Sequence, residues 1–144
     1  MKLAFSTKDV KTASFIEMCD TAAYYGFDGI EIYDIDSPQF SGQDSPLVIR
    51  NPADARRKLL NRKLEFCALK PPFHIGGGED CTAAFAEYAD AADRLRVPYI
   101  ILRAKSSAKP EDIKKALAAM IPEAEKSNTT ILLQTTGAAA DTSV

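Results

Sequence analysis

Five short apolar runs, separated by longer stretches of helical periodicity, constrain this chain more than any other feature. The runs are Leu3–Ser6, Gly29–Tyr33, Leu64–Leu69, Tyr99–Arg103 and Thr130–Gln134. They recur at roughly 26 to 36 residues, the length of one strand–helix unit. In the first intervening stretch, from Ser14 to Tyr25, the residues Phe15, Met18, Cys19, Ala22 and Tyr25 fall on one helical face. Ser14 and Glu17 have the spacing of a capping box, and Gly26 stands where a left-handed residue ends a helix. Asn51 followed by Pro52 opens a basic helix to about Lys63. A third helix runs from about Asp80 to Leu95 and buries Phe85, Ala89, Ala92 and Leu95. A fourth starts near Pro110, buries Ile113, Leu117, Met120 and Ala124, and is expected to bend at Pro122. Two stretches read as loop: Asp34 to Arg50, and PPFHIGGGED after the third strand.

The order is therefore βαβαβαβαβ. Strands apolar on both faces belong in a parallel sheet covered by helices. Right-handed crossovers leave two architectures, an open doubly wound sheet or the opening half of a (β/α)8 barrel, and periodicity does not choose between them.

Composition narrows the class. With 144 residues there is enough chain for one domain and its core. Lys plus Arg number 18 against 20 Asp plus Glu, with no block of like charge, so neither nucleic acid nor a membrane surface is expected as partner. Cys19, Cys67 and Cys81 read as reduced thiols and not as a disulfide framework or a zinc site. The opening MKLAFSTKDV has no long apolar h-region and no small-residue cleavage site, so no secretion signal is expected, and no apolar run approaches the roughly 20 residues that span a bilayer. A cytoplasmic protein is expected, in which the Asn128-Thr129-Thr130 sequon is silent.

The opening MKLAFST, followed by SFIEMCDTAAYYGFDGIEIYDID, resembles the sugar phosphate isomerase/epimerase superfamily of xylose isomerase-like TIM barrels. The motif is Gly26-Phe27-Asp28-Gly29-Ile30-Glu31 at the second strand. DAADRLRVPYIILRA and IPEAEKSNTTILLQTTG are similar to the segments leading into strands four and five of that family. The resemblance implies an incomplete (β/α)8 TIM barrel, its first four βα units plus strand five, as a single domain over residues 1–144. A whole barrel takes eight strands and about 250 residues. The chain is accordingly expected to be a truncated part, inactive alone, with exposed strand edges through which a homodimer could form.

Barrels of this kind hold their sites at the C-terminal strand ends. Strand alternation puts Glu31 and Tyr33 opposite Ile30 and Ile32, so Glu31 either serves substrate hydroxyls or forms a structural pair with a cation. His74, the one histidine, is a candidate for metal, sugar oxygen or proton, against the plainer reading of a surface residue. Arg103 is suited to clamping a phosphate or carboxylate, or to pairing with Glu31. Lys70 is cationic lining or simply solvated. Gly76, Gly77 and Gly78 offer backbone amides to a phosphate, though a flexible loop explains them as well. Under the resemblance, Gln134 stands where metal-dependent members carry a glutamate ligand, the remaining ligands belonging to strands six to eight. A divalent metal (Mn2+, Mg2+ or Zn2+) is thus implied for the full-length family and not expected to bind here.

Three functions follow. The first is a sugar or sugar-phosphate isomerase or epimerase with Glu31, Lys70, His74 and Arg103 on the substrate side and no catalytic residue assigned within the chain. The second is a non-catalytic sugar-binding or assembly barrel that has lost its metal ligand. The third, a self-sufficient doubly wound domain, lacks glycines for a nucleotide loop in Ser6-Thr7-Lys8-Asp9.

Overall fold

A computed structural model describes residues 1–10, 13–37, 40 and 51–134. Most of the loop expected between Asp34 and Arg50, and the segment after Gln134, lie outside these residues. The elements run β1 (Ala4–Ser6), α1 (Phe15–Tyr24), β2 (Gly29–Tyr33), α2 (Pro52–Leu60), β3 (Glu65–Lys70), β4 (His74–Ile75), α3 (Thr82–Leu95), β5 (Tyr99–Ala104), α4 (Pro110–Lys126) and β6 (Thr130–Gln134). Every strand pairing is parallel, in the order β1-β2-β3-β5, with β4 and β6 also on β5.

Local chemistry accounts for the helix ends. Ser14 Oγ accepts from the Glu17 amide at 3.3 Å while the Glu17 carboxylate accepts from the Ser14 amide at 2.7 Å, so the expected capping box closes α1 reciprocally. Gly26 follows at φ 77°, a left-handed turn that a glycine adopts without a Cβ penalty. Tyr25 corrects the sequence reading: it lies beyond the helix and is exposed, in edge contact with Tyr24. In α2 the Asn51 side chain accepts from the Asp54 amide at 3.1 Å, and the helix ends at Leu60, short of Lys63. The α4 helix continues through Pro122, whose ring is exposed, and Leu117 is only partly buried.

The stretch expected as loop after the third strand contains a short strand. His74 and Ile75 form a strand on β5, with His74 opposite Arg103 and Ile75 opposite Ala104. The β3 strand occupies the earlier part of the same edge, pairing Ala68 with Tyr99 and Leu69 with Ile100. Proline has no amide to give a ladder, so Pro71 and Pro72 lift the chain off that edge before it returns at His74. The two-residue return is too short to show a period of two in the sequence.

The sheet is packed on one face. Ile30, Ile32, Leu69, Ile100 and Leu102 are at most 1% exposed and meet Phe15, Met18, Leu59, Phe85 and Met120 from the helices. Their alternates Glu31, Tyr33, Lys70, Ile101 and Arg103 are half-buried, and Tyr99 and Leu132 are exposed at 42% each. A doubly wound sheet buries both faces; this one leaves one face open, as a barrel wall does when seen from its inside. The open architecture weighed from the sequence is thereby set aside.

Phe85 lies at the centre of this helix-side core and is fully buried. Phe85→Ala is expected to cost about 3–5 kcal/mol of unfolding free energy, against about 1 kcal/mol for the exposed cap variant Ser14→Ala. Urea denaturation of the two variants measures both, and a smaller loss for Phe85→Ala than for Ser14→Ala would contradict this placement of the core.

Candidate functional site

Parallel register brings the C-terminal strand ends together on the open face. Ser6 lies opposite Glu31, Tyr33 opposite Lys70, and His74 and Gln134 on either side of Arg103. The residues singled out from the sequence, Glu31, Lys70, His74, Arg103 and Gln134, therefore lie along a diagonal row that climbs through three register levels: Ser6 and Glu31, then Tyr33 and Lys70, then His74, Arg103 and Gln134.

Two hydrogen bonds organise its ends. Ser6 Oγ donates to Glu31 Oε1 at 2.7 Å. No cation lies within ion-pair distance of Glu31 among the described residues, so the expected alternatives of an Arg103 or other cationic partner are corrected. The buried Thr7 fixes this end of β2 twice: its amide donates to the Glu31 carbonyl at 3.1 Å, and its hydroxyl accepts from the Tyr33 amide at 3.0 Å. Farther along, Lys70 Nζ donates to Gln134 Oε1 at 2.7 Å. That lysine spans the open face from β3 to β6, over β5, and is not simply solvated.

The proline detour sets Arg103. Its Nη2 donates to the Pro72 carbonyl at 3.3 Å, while its buried Nε has no hydrogen-bond partner among the described residues. The guanidinium stands 5.6 Å from the centroid of the Tyr33 ring, and Lys8 Nζ stands 5.7 Å from the same centroid. A ring attracts cations electrostatically, so Tyr33 holds two of them without a carboxylate. Lys105, the residue after β5, packs its side chain against Gly77, where any Cβ would collide with it. Gly76 and Gly78 adopt φ 82° and 87°, and a Cβ on Gly76 would meet Ala108. Backbone conformation and close approach thus explain the glycines.

Lys8, Lys70, Arg103 and Lys105 have no ion-pair partner among the described residues, as is also true of Arg56, Lys63, Arg96, Lys109 and Lys115; what distinguishes the four is that they gather at the strand ends. Sequence reasoning missed Lys8 and Lys105 as members of this cluster. Their signal was position, since each lies within two residues of the C-terminal end of a strand. His74 sits among them. Burial, and then the charges of Arg103, Lys105 and Lys8, hold its imidazole below the ordinary histidine range.

The cysteines are inert by environment. Burial pushes the Cys19 thiol up to about 12, and burial with the nearby Glu31 charge pushes Cys67 up to about 11. All three are free. A cavity of about 340 Å³ lies between α3 and α4, lined by Cys81, Asp112, Lys115 and Met120 among others, and holds none of the row.

The donor set does not suit the divalent ion that the family resemblance implies. Gln134 offers a neutral amide oxygen that already accepts from an ammonium, and no group of three His, Cys, Asp or Glu side chains comes together among the described residues.

The lowered His74 value has a sign in stability. The folded protein takes up this proton less readily than the unfolded chain, so stability is retained above the ordinary histidine value and falls as pH drops through it. The fall levels off below the folded value. Proton NMR is expected to show the His74 midpoint below 6.5, rising with added salt and in Arg103→Met. A midpoint at or above the ordinary value would contradict the cation cluster.

No protein-family model matches the chain, and no curated protein does. Solved structures match closely in shape. The IolI protein, solved with a bound zinc atom, superposes at TM-score 0.73 with 21% identity, over 95% of this chain and 52% of its own. A xylose isomerase domain containing protein from Salmonella typhimurium LT2 gives 0.72 at 13% identity, over 92% and 48%. The 3-keto-D-glucoside 4-epimerase of E. coli gives 0.69 at 15% identity, over 92% and 55%. This chain spans about half the length of the structures it matches. At these identities the likeness shows the fold alone: that of a TIM barrel, about half of which this chain spans.

Proposed function

We propose that the row from Ser6 to Gln134 is the substrate-facing part of a sugar isomerase or epimerase site, whose reaction moves a proton on a carbon beside a carbonyl. The observation that carries this reading is the convergence of one carboxylate, one imidazole and several cations on the open face, at the strand ends where barrels of this fold hold their sites. The names of the solved structures, an epimerase and a xylose isomerase domain among them, support the same class.

Each side chain has work to do in such a reaction. Glu31, oriented by Ser6, accepts hydrogen bonds from substrate hydroxyls. Arg103, with its fork against Pro72 and Tyr33, faces the oxygen on which negative charge develops as the proton leaves. His74 is uncharged at neutral pH, because its lowered value leaves it deprotonated, and so can both give and accept a hydrogen bond. No step is routed through a metal ion, since the residues present do not form its site. The proton-abstracting base is not assigned to any described residue.

The bond between Lys70 and Gln134 also favours a second reading, a barrel that binds a sugar without turning it over. In a complete barrel that contains this half, incubation in D2O with a panel of ketoses and ketose phosphates, followed by NMR, separates the two. The isomerase reading expects deuterium at the carbon beside the carbonyl, and a loss of about ten- to a hundredfold in kcat/KM for Glu31→Gln. Saturable sugar binding with no exchange in any substrate would overturn it in favour of the binder.

A further inference from the structure

The positive charge at this mouth is built from side chains, and its arrangement says what it binds. An ammonium carries three donors, and Lys70 spends one of them on Gln134 Oε1 at 2.7 Å. The acceptor is neutral, so the bond places the charge over β5 without cancelling it. Arg103 lies in the same row with a buried Nε that has no partner among the described residues. Lys8 approaches the Tyr33 ring alongside Arg103, and Lys70 is the register partner of Tyr33 on β3. Two carboxylates belong to the same strand end, Glu31, which accepts from Ser6, and Asp34, whose Oδ1 accepts from the Asp36 amide at 3.2 Å; among the described residues neither comes within ion-pair distance of Lys70, Arg103 or Lys8.

We propose that Lys70, held on Gln134 and supported by Arg103 and Lys8, is a metal-independent cationic centre that binds an oxyanion of the substrate. A divalent ion on Gln134 Oε1 would have to expel the ammonium or sit beside it, and like charges at that range repel strongly in a partly buried site. The ammonium supplies a fixed charge where a metal would supply one, and its remaining donors are free to receive oxygen. The shared chemistry is an anionic oxygen, from either a phosphate ester or a carboxylate. This inference rests on taking the mouth as a substrate site and does not depend on which reaction occurs there.

Isothermal titration of the 144-residue chain at constant ionic strength tests it, with inorganic phosphate, acetate, MnCl2 and ZnCl2 as separate probes. Saturable binding of phosphate or acetate is expected, weakened about tenfold in Lys70→Met and also weakened in Lys8→Met. The tighter of the two anions identifies the source, phosphate ester or carboxylate. Gln134→Ala is expected to leave any response to Mn2+ or Zn2+ unchanged. Stoichiometric metal binding that Gln134→Ala abolishes would overturn the proposal, and so would anion binding indifferent to both lysine variants. Because these titrations read binding alone, the centre can stand when deuterium exchange fails, and fall when it succeeds.

Discussion

A parallel strand must satisfy two faces, and in this sheet only one is satisfied by helices. Ile30, Ile32, Leu69, Ile100 and Leu102 carry the packing, and α1 to α4 all draw their buried residues against them. Everything else about the molecule follows from that asymmetry. The alternate residues are released from core duty, so positions next to the buried Ile32 and Leu102 can be Glu31, Tyr33 and Arg103. Along β5 and β6 the same face carries Tyr99, Ile101 and Leu132 before it reaches Arg103 and Gln134. These two strands therefore pass from mostly apolar groups to polar and charged ones toward their C-terminal ends.

The second constraint is the proline pair. An uninterrupted β3 would keep its ladder on β5 and carry the alternation straight past Lys70. With no amides to offer, Pro71 and Pro72 loop out, and the chain regains the edge only at His74. Three consequences converge on the mouth. Lys70 is left at a strand end, with room to reach Gln134; His74 is returned opposite Arg103; and the Pro72 carbonyl, freed from any ladder, becomes an acceptor for the guanidinium. A single local break thus places three of the row's members.

Much of this was legible in the residues. The five long strands and four helices follow from periodicity, and the capping box at Ser14 and Glu17 closes as its spacing requires. The side of the sheet that Glu31 faces follows from alternation alone. What could not be read was anything that depends on three dimensions at once. A two-residue strand such as His74–Ile75 has no period to detect, and its existence depends on an edge of β5 that is distant in sequence. Tyr25 fits the helical face by spacing, yet the helix turns off before reaching it. The Lys8 side chain comes to Tyr33 only because β1 pairs with β2, and Lys70 comes to Gln134 only because β5 lies between their strands.

The cations of the mouth are held by partners of a different kind from those on the helix faces. The chain as a whole is slightly acidic, with a formal charge of −2, and its helix faces pair cations with carboxylates at i,i+3 or i,i+4 spacing. The same composition could have offered a carboxylate to Arg103 or Lys70. Instead these groups are held by an aromatic face, a backbone carbonyl and a neutral amide, all of which position a cation without neutralising it. Such partners keep the side chains ordered while leaving their field intact, and half-burial keeps that field from being fully screened. His74 registers the result, since its reluctance to take a proton is the response of a titratable group to a region already positive. Self-repulsion among the cations costs folding stability, and the binding of an anion from solution is the event that would relieve it.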